Sequence, residues 1–164
     1  MIRLVLLALL ALPATARAAC FGPGEALFHC TTNGGKKAVD ICRQGEVVIY
    51  RFGPATGVAE MLLVQPAAAV GMTPWPGVGR VFWEEVTFDN DRYSYTVHHA
   101  TDRMDASPVT DGGVTVAKDG AALATIGCDA GSVSEGDFYP VYLAKEAAGQ
   151  VWCLDTQSWA HGCN

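Results

Sequence analysis

Short apolar runs, separated by glycine, proline and acidic turn residues, dominate the chain after residue 25. Runs of this length, rich in β-branched and aromatic residues and closely spaced, are typical of antiparallel strands. The predicted strands are residues 26–32, 36–42, 47–52, 61–64, 81–88, 92–99, 114–118 and 122–126. Only residues 67–70 and 144–148 have helical character, and both segments are short. The pattern therefore predicts an all-β fold, a small antiparallel sandwich or barrel.

Alternation assigns the faces of these strands. In residues 92–99, Tyr93, Tyr95, Val97 and His99 share one face, which we expect to lie toward the core, whereas His98 points the other way.

The opening hairpin turns at Asn33-Gly34-Gly35, residues that tolerate the positive φ of a tight turn. A turn centred on Gly34-Gly35 places Phe28 and Cys30 on one face with Val39 and Ile41. Cys42 then points to the opposite face, which argues against a Cys30–Cys42 bridge.

Residues 1–19 have the pattern of a secretory signal peptide. Arg3 supplies the positive start, residues 4–12 form an apolar run too short to span a bilayer, and Ala16 and Ala18 give an A-x-A cleavage pattern. We expect a periplasmic or secreted protein that is soluble after cleavage.

Residues 20–129 are predicted to form the antiparallel β domain. Residues 130–164 are predicted to form a C-terminal hairpin, with strands 138–143 and 150–154, and a stapled tail packed on the same domain.

All six cysteines follow the predicted signal: Cys20, Cys30, Cys42, Cys128, Cys153 and Cys163. An even number in an exported protein predicts three disulfides rather than metal ligands or nucleophiles. Six cysteines allow 15 pairings, and the sequence alone does not choose among them. Our preference is Cys30 with Cys128, closing the first strand onto the last strand of the main sheet, and Cys153 with Cys163 by proximity. Cys20 is then left with Cys42.

The charge of the chain is acidic. Loss of Arg3 and Arg17 with the signal would lower the number of basic residues from 11 to nine, against 17 acids. This balance argues against nucleic acid or anionic lipid as a partner and favours a basic protein, or plain solubility with no particular partner. No membrane span is predicted after the signal, and the oligomeric state stays open.

Catalytic patterns are weak. The adjacent His98 and His99 point to opposite faces of a strand, so a metal site is not predicted. Carboxylates for acid–base chemistry could come from Glu84, Glu85, Asp89, Asp91, Asp102 and Asp105. They fall at turns and on mixed strand faces, where solvated acids are usual. The sequence therefore predicts no catalytic residue, no metal and no cofactor.

Residues 71–80, GMTPWPGVGR, stand out among the loops. Two prolines bracket Trp75, and Gly77 and Gly79 precede Arg80, so the loop is stiff at its start and pliable at its end. Tryptophan and arginine are the residue types most enriched in binding hot spots. The alternative interpretation is that Trp75 packs over the edge of the core.

The order of features from residue 26 to residue 128 resembles the periplasmic inhibitors of c-type lysozyme, the MliC and PliC group. The similar segments are LFHCTTNGGKK around Cys30, AEMLL, GVGRVFW and VTVAKDGAALATIGC ending at Cys128. The resemblance implies a small β fold and inhibition by a loop that enters the lysozyme cleft. Aligned on Arg80, this chain has Gly77 where the family carries a serine and Val81 where it carries a tyrosine.

Three functional hypotheses follow from the sequence. The first is an exported binding or inhibitor module that docks Trp75, Gly77, Gly79 and Arg80 on a basic partner such as a c-type lysozyme. The second is an envelope hydrolase with an acidic pair such as Glu85 and Asp102, and the third is a structural envelope protein without activity.

Overall fold

A computed structural model describes Cys20 and residues 24–163. The predicted signal peptide, residues 1–19, lies outside the described residues. Within these described residues, twelve strands and one helix follow in chain order. They are β1 (Glu25–Thr32), β2 (Lys37–Gln44), β3 (Val47–Pro54), β4 (Met61–Pro66), β5 (Gly71–Thr73), β6 (Val81–Asn90), β7 (Tyr93–Asp102), β8 (Thr110–Lys118), β9 (Ala121–Gly127), β10 (Glu135–Gly136), α1 (Tyr139–Ala147), β11 (Val151–Cys153) and β12 (Ser158–Ala160).

The strands form two five-stranded antiparallel sheets and a separate two-stranded hairpin. The order of the first sheet is β10-β1-β2-β3-β4, that of the second is β5-β6-β7-β8-β9, and β11 pairs with β12. Neither sheet closes on itself, so the fold is sandwich-like rather than a barrel, and the prediction of an all-β antiparallel fold is confirmed.

The core lies between the two sheets. Phe28, Ile41 and Tyr50 stand opposite one another across β1, β2 and β3, and all three are fully buried. The Tyr50 ring meets Phe88 of the second sheet with centroids 5.5 Å apart. Val97 and His99 are buried as alternation predicts, and Tyr95 packs against the same cluster.

The β1–β2 hairpin has the register expected from its turn. Cys30 stands opposite Val39 and Phe28 opposite Ile41, while the loop between the strands contains Gly34 and Gly35 with positive φ. Cys42 consequently lies on the outer face of this sheet.

The three disulfides are Cys20–Cys42, Cys30–Cys128 and Cys153–Cys163. They are the pairs preferred from the sequence. Cys30–Cys128 joins β1 of the first sheet to the residue that follows β9 of the second, so it fastens the two layers together.

The prediction of a strand over residues 138–143 is wrong, because Tyr139–Ala147 is the helix α1. Pro140 lies in its first turn, where a missing N–H costs nothing, whereas proline is unfavourable within a sheet. Val141, Ala144 and Lys145 are the buried residues, at a helical spacing. The C-terminal hairpin instead pairs Trp152 with Trp159.

Residues 67–70 form a turn after β4 rather than a helix. They are nevertheless important for packing, because Ala67 and Val70 are buried and the Lys145 ammonium donates to the carbonyl of Ala68 at 3.0 Å. The Trp159 indole N–H donates to the carbonyl of Met72 in β5 at 2.8 Å. These contacts hold the C-terminal segment against the second sheet.

Candidate functional site

The two loops at one end of the second sheet form a shared surface, which we call the tip. Residues 74–80 connect β5 to β6, and residues 103–109 connect β7 to β8. The register places Val81 opposite Asp102, and the N–H of Arg103 donates to the carbonyl of Arg80 at 3.2 Å. The loop that the sequence singled out is therefore held against a second loop that it did not.

Trp75 is half-buried within the tip. Its ring packs in a T-shaped arrangement against Phe82, with centroids 5.5 Å apart. The guanidinium carbon of Arg103 lies 4.4 Å from the indole centroid, and the same side chain donates to the carbonyl of Gly79. The indole N–H is buried and has no hydrogen-bond partner among the described residues.

Arg80 lies on the surface and forms a fork with Asp102. Its Nε is 2.8 Å from Oδ1 and 2.7 Å from Oδ2 of that carboxylate, and one terminal nitrogen is also 2.7 Å from Oδ2. The hydrogen bond from Arg80, followed by that from the Met104 N–H, lowers the pKa of Asp102. Asp102 is therefore held ionised, which suits an anchor for Arg80 and does not suit a general acid.

Three apolar side chains of the tip are strongly exposed. Val78, Met104 and Val109 have exposed fractions of 71%, 73% and 59%. Gly77 and Gly79 reach positive φ values of 80° and 99°, conformations that L side chains rarely adopt. These two glycines shape the turn that presents Val78 to solvent.

The four predicted binding residues, Trp75, Gly77, Gly79 and Arg80, thus lie together in one loop. Both side chains already have partners within the chain, Trp75 in Phe82 and Arg103 and Arg80 in Asp102. The sequence did not reveal Asp102 or Arg103 in these roles, since both come from the far side of the β6–β7 hairpin.

The acidic pair considered for hydrolysis is not brought together. Glu85 stands opposite His98, whereas Asp102 stands opposite Val81, four residues away along the same strands. At about 3.3 Å per residue the two carboxylates are separated by ~13 Å along the sheet. The carboxylates of glycosidases lie about 5–9.5 Å apart.

A buried acid–base pair lies deeper in the sandwich. Glu84 and His99 are opposite each other on the inner face, 6% and 1% exposed, with Oε2 and Nε2 3.4 Å apart. The Glu84 carboxylate also accepts the N–H of Phe138 at 3.1 Å, just before α1. The interpretation of Glu84 as a solvated acid is therefore wrong. Alternation could have exposed the error, because Glu84 shares the parity of the buried Val86 and Phe88.

A second polar row crosses the outer face of the first sheet. Asp40 accepts from Arg51 at 3.0 Å and contacts the Nδ1 of His29 at 2.7 Å, while Arg51 also donates to the carbonyls of Pro54 and Gly57. Asp40 and Arg51 are buried, so the row fastens the loop after β3. The described residues contain no group of three or more histidine, cysteine or acidic side chains placed to hold a metal ion.

Comparisons with protein-family models, with curated proteins and with solved structures found no match. Within the part of the chain that the structure describes, no helix is long and apolar enough to cross a bilayer. The three disulfides are typical of proteins from oxidising compartments.

Proposed function

We propose that the protein is an exported, periplasmic or secreted binding module of the inhibitor type, which docks its tip on a basic partner protein. The observation that carries the proposal is the arrangement of the tip. Arg103 and Asp102 fix Trp75 and Arg80 through contacts within the tip, while Val78 and Met104 project into solvent.

The contacts of Arg103 and Asp102 preorganise the tip for binding. Ordering a loop on binding costs free energy, and a loop fixed beforehand avoids much of that cost. The two prolines restrict the start of the loop, and Arg103 ties its end through the carbonyl of Gly79. Val78 and Met104 would supply apolar contact area at the centre of an interface.

Arg80 retains hydrogen-bonding capacity beside this apolar surface. Nε and one terminal nitrogen face Asp102, and the other terminal nitrogen has no acceptor among the described residues. A carboxylate of the partner could be bound there without breaking the fork to Asp102. The acidic balance of the whole chain would attract a basic partner over longer distances. A c-type lysozyme is the partner that the sequence resemblance favours.

The test titrates the protein without its signal peptide against a c-type lysozyme acting on cell-wall substrate. We expect inhibition at stoichiometric amounts. Val78→Asp should weaken it about tenfold or more, because the variant buries an unpaired charge in the interface. Val58→Asp is the matched control, since Val58 is 88% exposed on the loop between β3 and β4 and should have no effect.

Two outcomes contradict the proposal. If Val78→Asp and Val58→Asp inhibit as strongly as the unchanged protein, the tip is not the docking surface. If the protein cleaves cell wall by itself and does not bind lysozyme, the hydrolase alternative is correct.

A further inference from the structure

A groove separates the loop of residues 74–80 from the C-terminal hairpin. Trp83 of β6 and Trp152 of β11 line it together with Pro74 and Pro76, and its cavity volume is about 70 Å³. This is smaller than the ~300–1,000 Å³ of enclosed small-ligand sites, so a ligand would lie against the walls of the groove with much of its surface in solvent. The groove shares Pro74 and Pro76 with the tip, but it is not lined by Val78, Arg80 or Met104, which carry the proposed docking, so the two proposals are tested separately.

The walls of the groove are rigid. Trp83 stands opposite Ala100 of β7, two residues from the end of the pairing between β5 and β6. Trp152 stands opposite Trp159 with ring centroids 5.7 Å apart, and Trp159 is in turn hydrogen-bonded to Met72. The disulfide Cys153–Cys163 staples the end of the same hairpin. Two indole rings are therefore held ready before any ligand arrives.

Polar groups with unused capacity accompany the indoles. Thr73 and Gln157 also line the groove, and neither uses its side chain in a hydrogen bond within the described part of the chain. The same is true of the indole N–H groups of Trp83 and Trp152. The backbone of Gln157 itself has a φ of 48°, a conformation that non-glycine residues seldom adopt.

The lining favours a ligand that is neutral, has an apolar face and carries hydroxyl groups at its edge. No lining side chain is charged, so neither an anion nor a cation would find a counter-charge in the groove. A pyranose ring has this chemistry, because its C–H bonds form apolar faces and its hydroxyls surround the ring. We propose that the groove between Trp83 and Trp152 binds one ring of a neutral oligosaccharide.

A proline-rich peptide is the main competing occupant, since such peptides also bind aromatic-lined grooves. A polyproline II ligand repeats every three residues, about 9 Å at a rise of ~3.1 Å, and its recognition extends over successive turns. The groove offers a single compact cleft between two indoles, which fits one ring better than an extended chain.

Calorimetry and tryptophan fluorescence of the disulfide-bonded protein test the proposal. The probes are cellotetraose, tetra-N-acetylchitotetraose, a decaproline peptide and choline. We expect saturable binding of at least one of the two oligosaccharides and none of the decaproline or choline. Trp152→Ala should weaken it about tenfold or more, because half of the stacking surface is lost. Gln157→Asn, which keeps an amide but shortens its reach, should weaken binding severalfold while the fold is retained.

Two variants serve as controls. Tyr139→Ala removes an aromatic ring that is 53% exposed elsewhere on the surface and should leave saccharide binding unchanged. Val78→Asp at the tip should also leave it unchanged, which separates this inference from the proposed docking function.

Absence of oligosaccharide binding overturns the inference. Binding of decaproline or choline that is lost in Trp152→Ala also overturns it, as does oligosaccharide binding that Trp152→Ala and Gln157→Asn both leave intact.

Discussion

The guanidinium carbon of Arg103 lies 4.4 Å from the centroid of the Trp75 ring, so the β7–β8 loop covers the central residue of the β5–β6 loop. An exposed cation–π contact of this kind contributes about 0.5–1 kcal/mol. Arg103→Ala should therefore increase local opening of residues 74–80 about two- to fivefold. Hydrogen exchange of that loop measures the change. Arg103→Lys keeps the charge but loses the planar guanidinium, so its exchange rate in this loop should lie between those of the unchanged protein and Arg103→Ala. Unchanged exchange in Arg103→Ala would show that Phe82 alone fixes the loop.

Trp75→Ala and Arg80→Ala should affect the protein in different ways. Trp75 is half-buried against Phe82, so its truncation should lower the free energy of unfolding by about 2 kcal/mol or more. Arg80 is 64% exposed in its side chain, and its replacement should leave the thermal midpoint nearly unchanged while weakening lysozyme inhibition. Thermal unfolding and the inhibition assay, run on both variants, separate packing from binding. A stable Arg80→Ala variant with full inhibition would remove Arg80 from the interface.

The carboxylate of Asp129 closes the tip of the β1–β2 hairpin from another part of the chain. It accepts the N–H groups of Gly34 and Gly35 at 2.9 and 2.7 Å and the hydroxyl of Thr31 at 2.9 Å. The two backbone hydrogen bonds are the main reason that the pKa of Asp129 is lowered from its usual value of 3.8. Successive N–H groups of this kind form a concave site for an anion.

Asp129→Asn should therefore destabilise the protein in a pH-dependent manner. Because the folded state lowers this pKa, the ionised carboxylate stabilises the fold above about pH 3.8, and the effect is lost as the pH falls through the lower folded value. The variant should be less stable at pH 7, and its deficit should shrink toward pH 2. Urea unfolding at both pH values measures this, with Asp155→Asn, at an exposed position between β11 and β12, as a surface control. A deficit that is equal at pH 7 and pH 2 would mean that the charge is not responsible.

Sequence reasoning succeeded where structure is local. Parity in residues 92–99 places His99 inside and His98 outside, and the two glycines at 34 and 35 set the register that separates Cys30 from Cys42. These faces exclude only the pairings that contain Cys30–Cys42, and the observed three were preferred because Cys153 and Cys163 are close in sequence and Cys30–Cys128 closes the first strand onto the last. The turn residues and the alternation carry this information because each acts within a few positions of the chain.

The tip could not be derived in the same way. Arg80 and Asp102 are 22 positions apart, and Arg103, which stacks on Trp75, comes from the loop that follows Asp102. Nothing local marks Arg103 as the residue that stacks on an indole. The helix α1 was missed for a different reason, because residues 138–143 have the aromatic and β-branched character of a strand. Pro140 and the alanines after it decide in favour of a helix that buries Val141 and Ala144.

Glu84 should be more sensitive to truncation than to neutralisation. Its carboxylate accepts the N–H of Phe138 and lies 3.4 Å from His99, whose two ring nitrogens have no hydrogen-bond partner among the described residues, so Glu84→Ala leaves the buried Phe138 N–H without its acceptor. A buried donor left without a partner costs about 1–3 kcal/mol. Glu84→Gln keeps an oxygen that can accept the Phe138 N–H and should cost clearly less. Chemical denaturation of the two variants tests the difference, and equal losses would mean that the contact to Phe138 contributes nothing.

The disulfides Cys30–Cys128 and Cys153–Cys163 should differ in how much they stabilise the fold. Their cysteines are 98 and 10 positions apart, and a longer closed loop removes more entropy from the unfolded chain. The double replacement of Cys30 and Cys128 by alanine should lower the free energy of unfolding by about 4–5 kcal/mol, against ~3 kcal/mol or less for Cys153 and Cys163. Cys30 is fully buried between the sheets, which adds the loss of packing to the first value.

The Cys153–Cys163 disulfide should have its main effect on saccharide binding, because it holds the hairpin that carries Trp152 and Trp159. Denaturant unfolding of both double variants, with saccharide binding measured beside it, checks both parts. A Cys153/Cys163 variant that unfolds as easily as the Cys30/Cys128 variant would show that loop length does not determine the stabilisation.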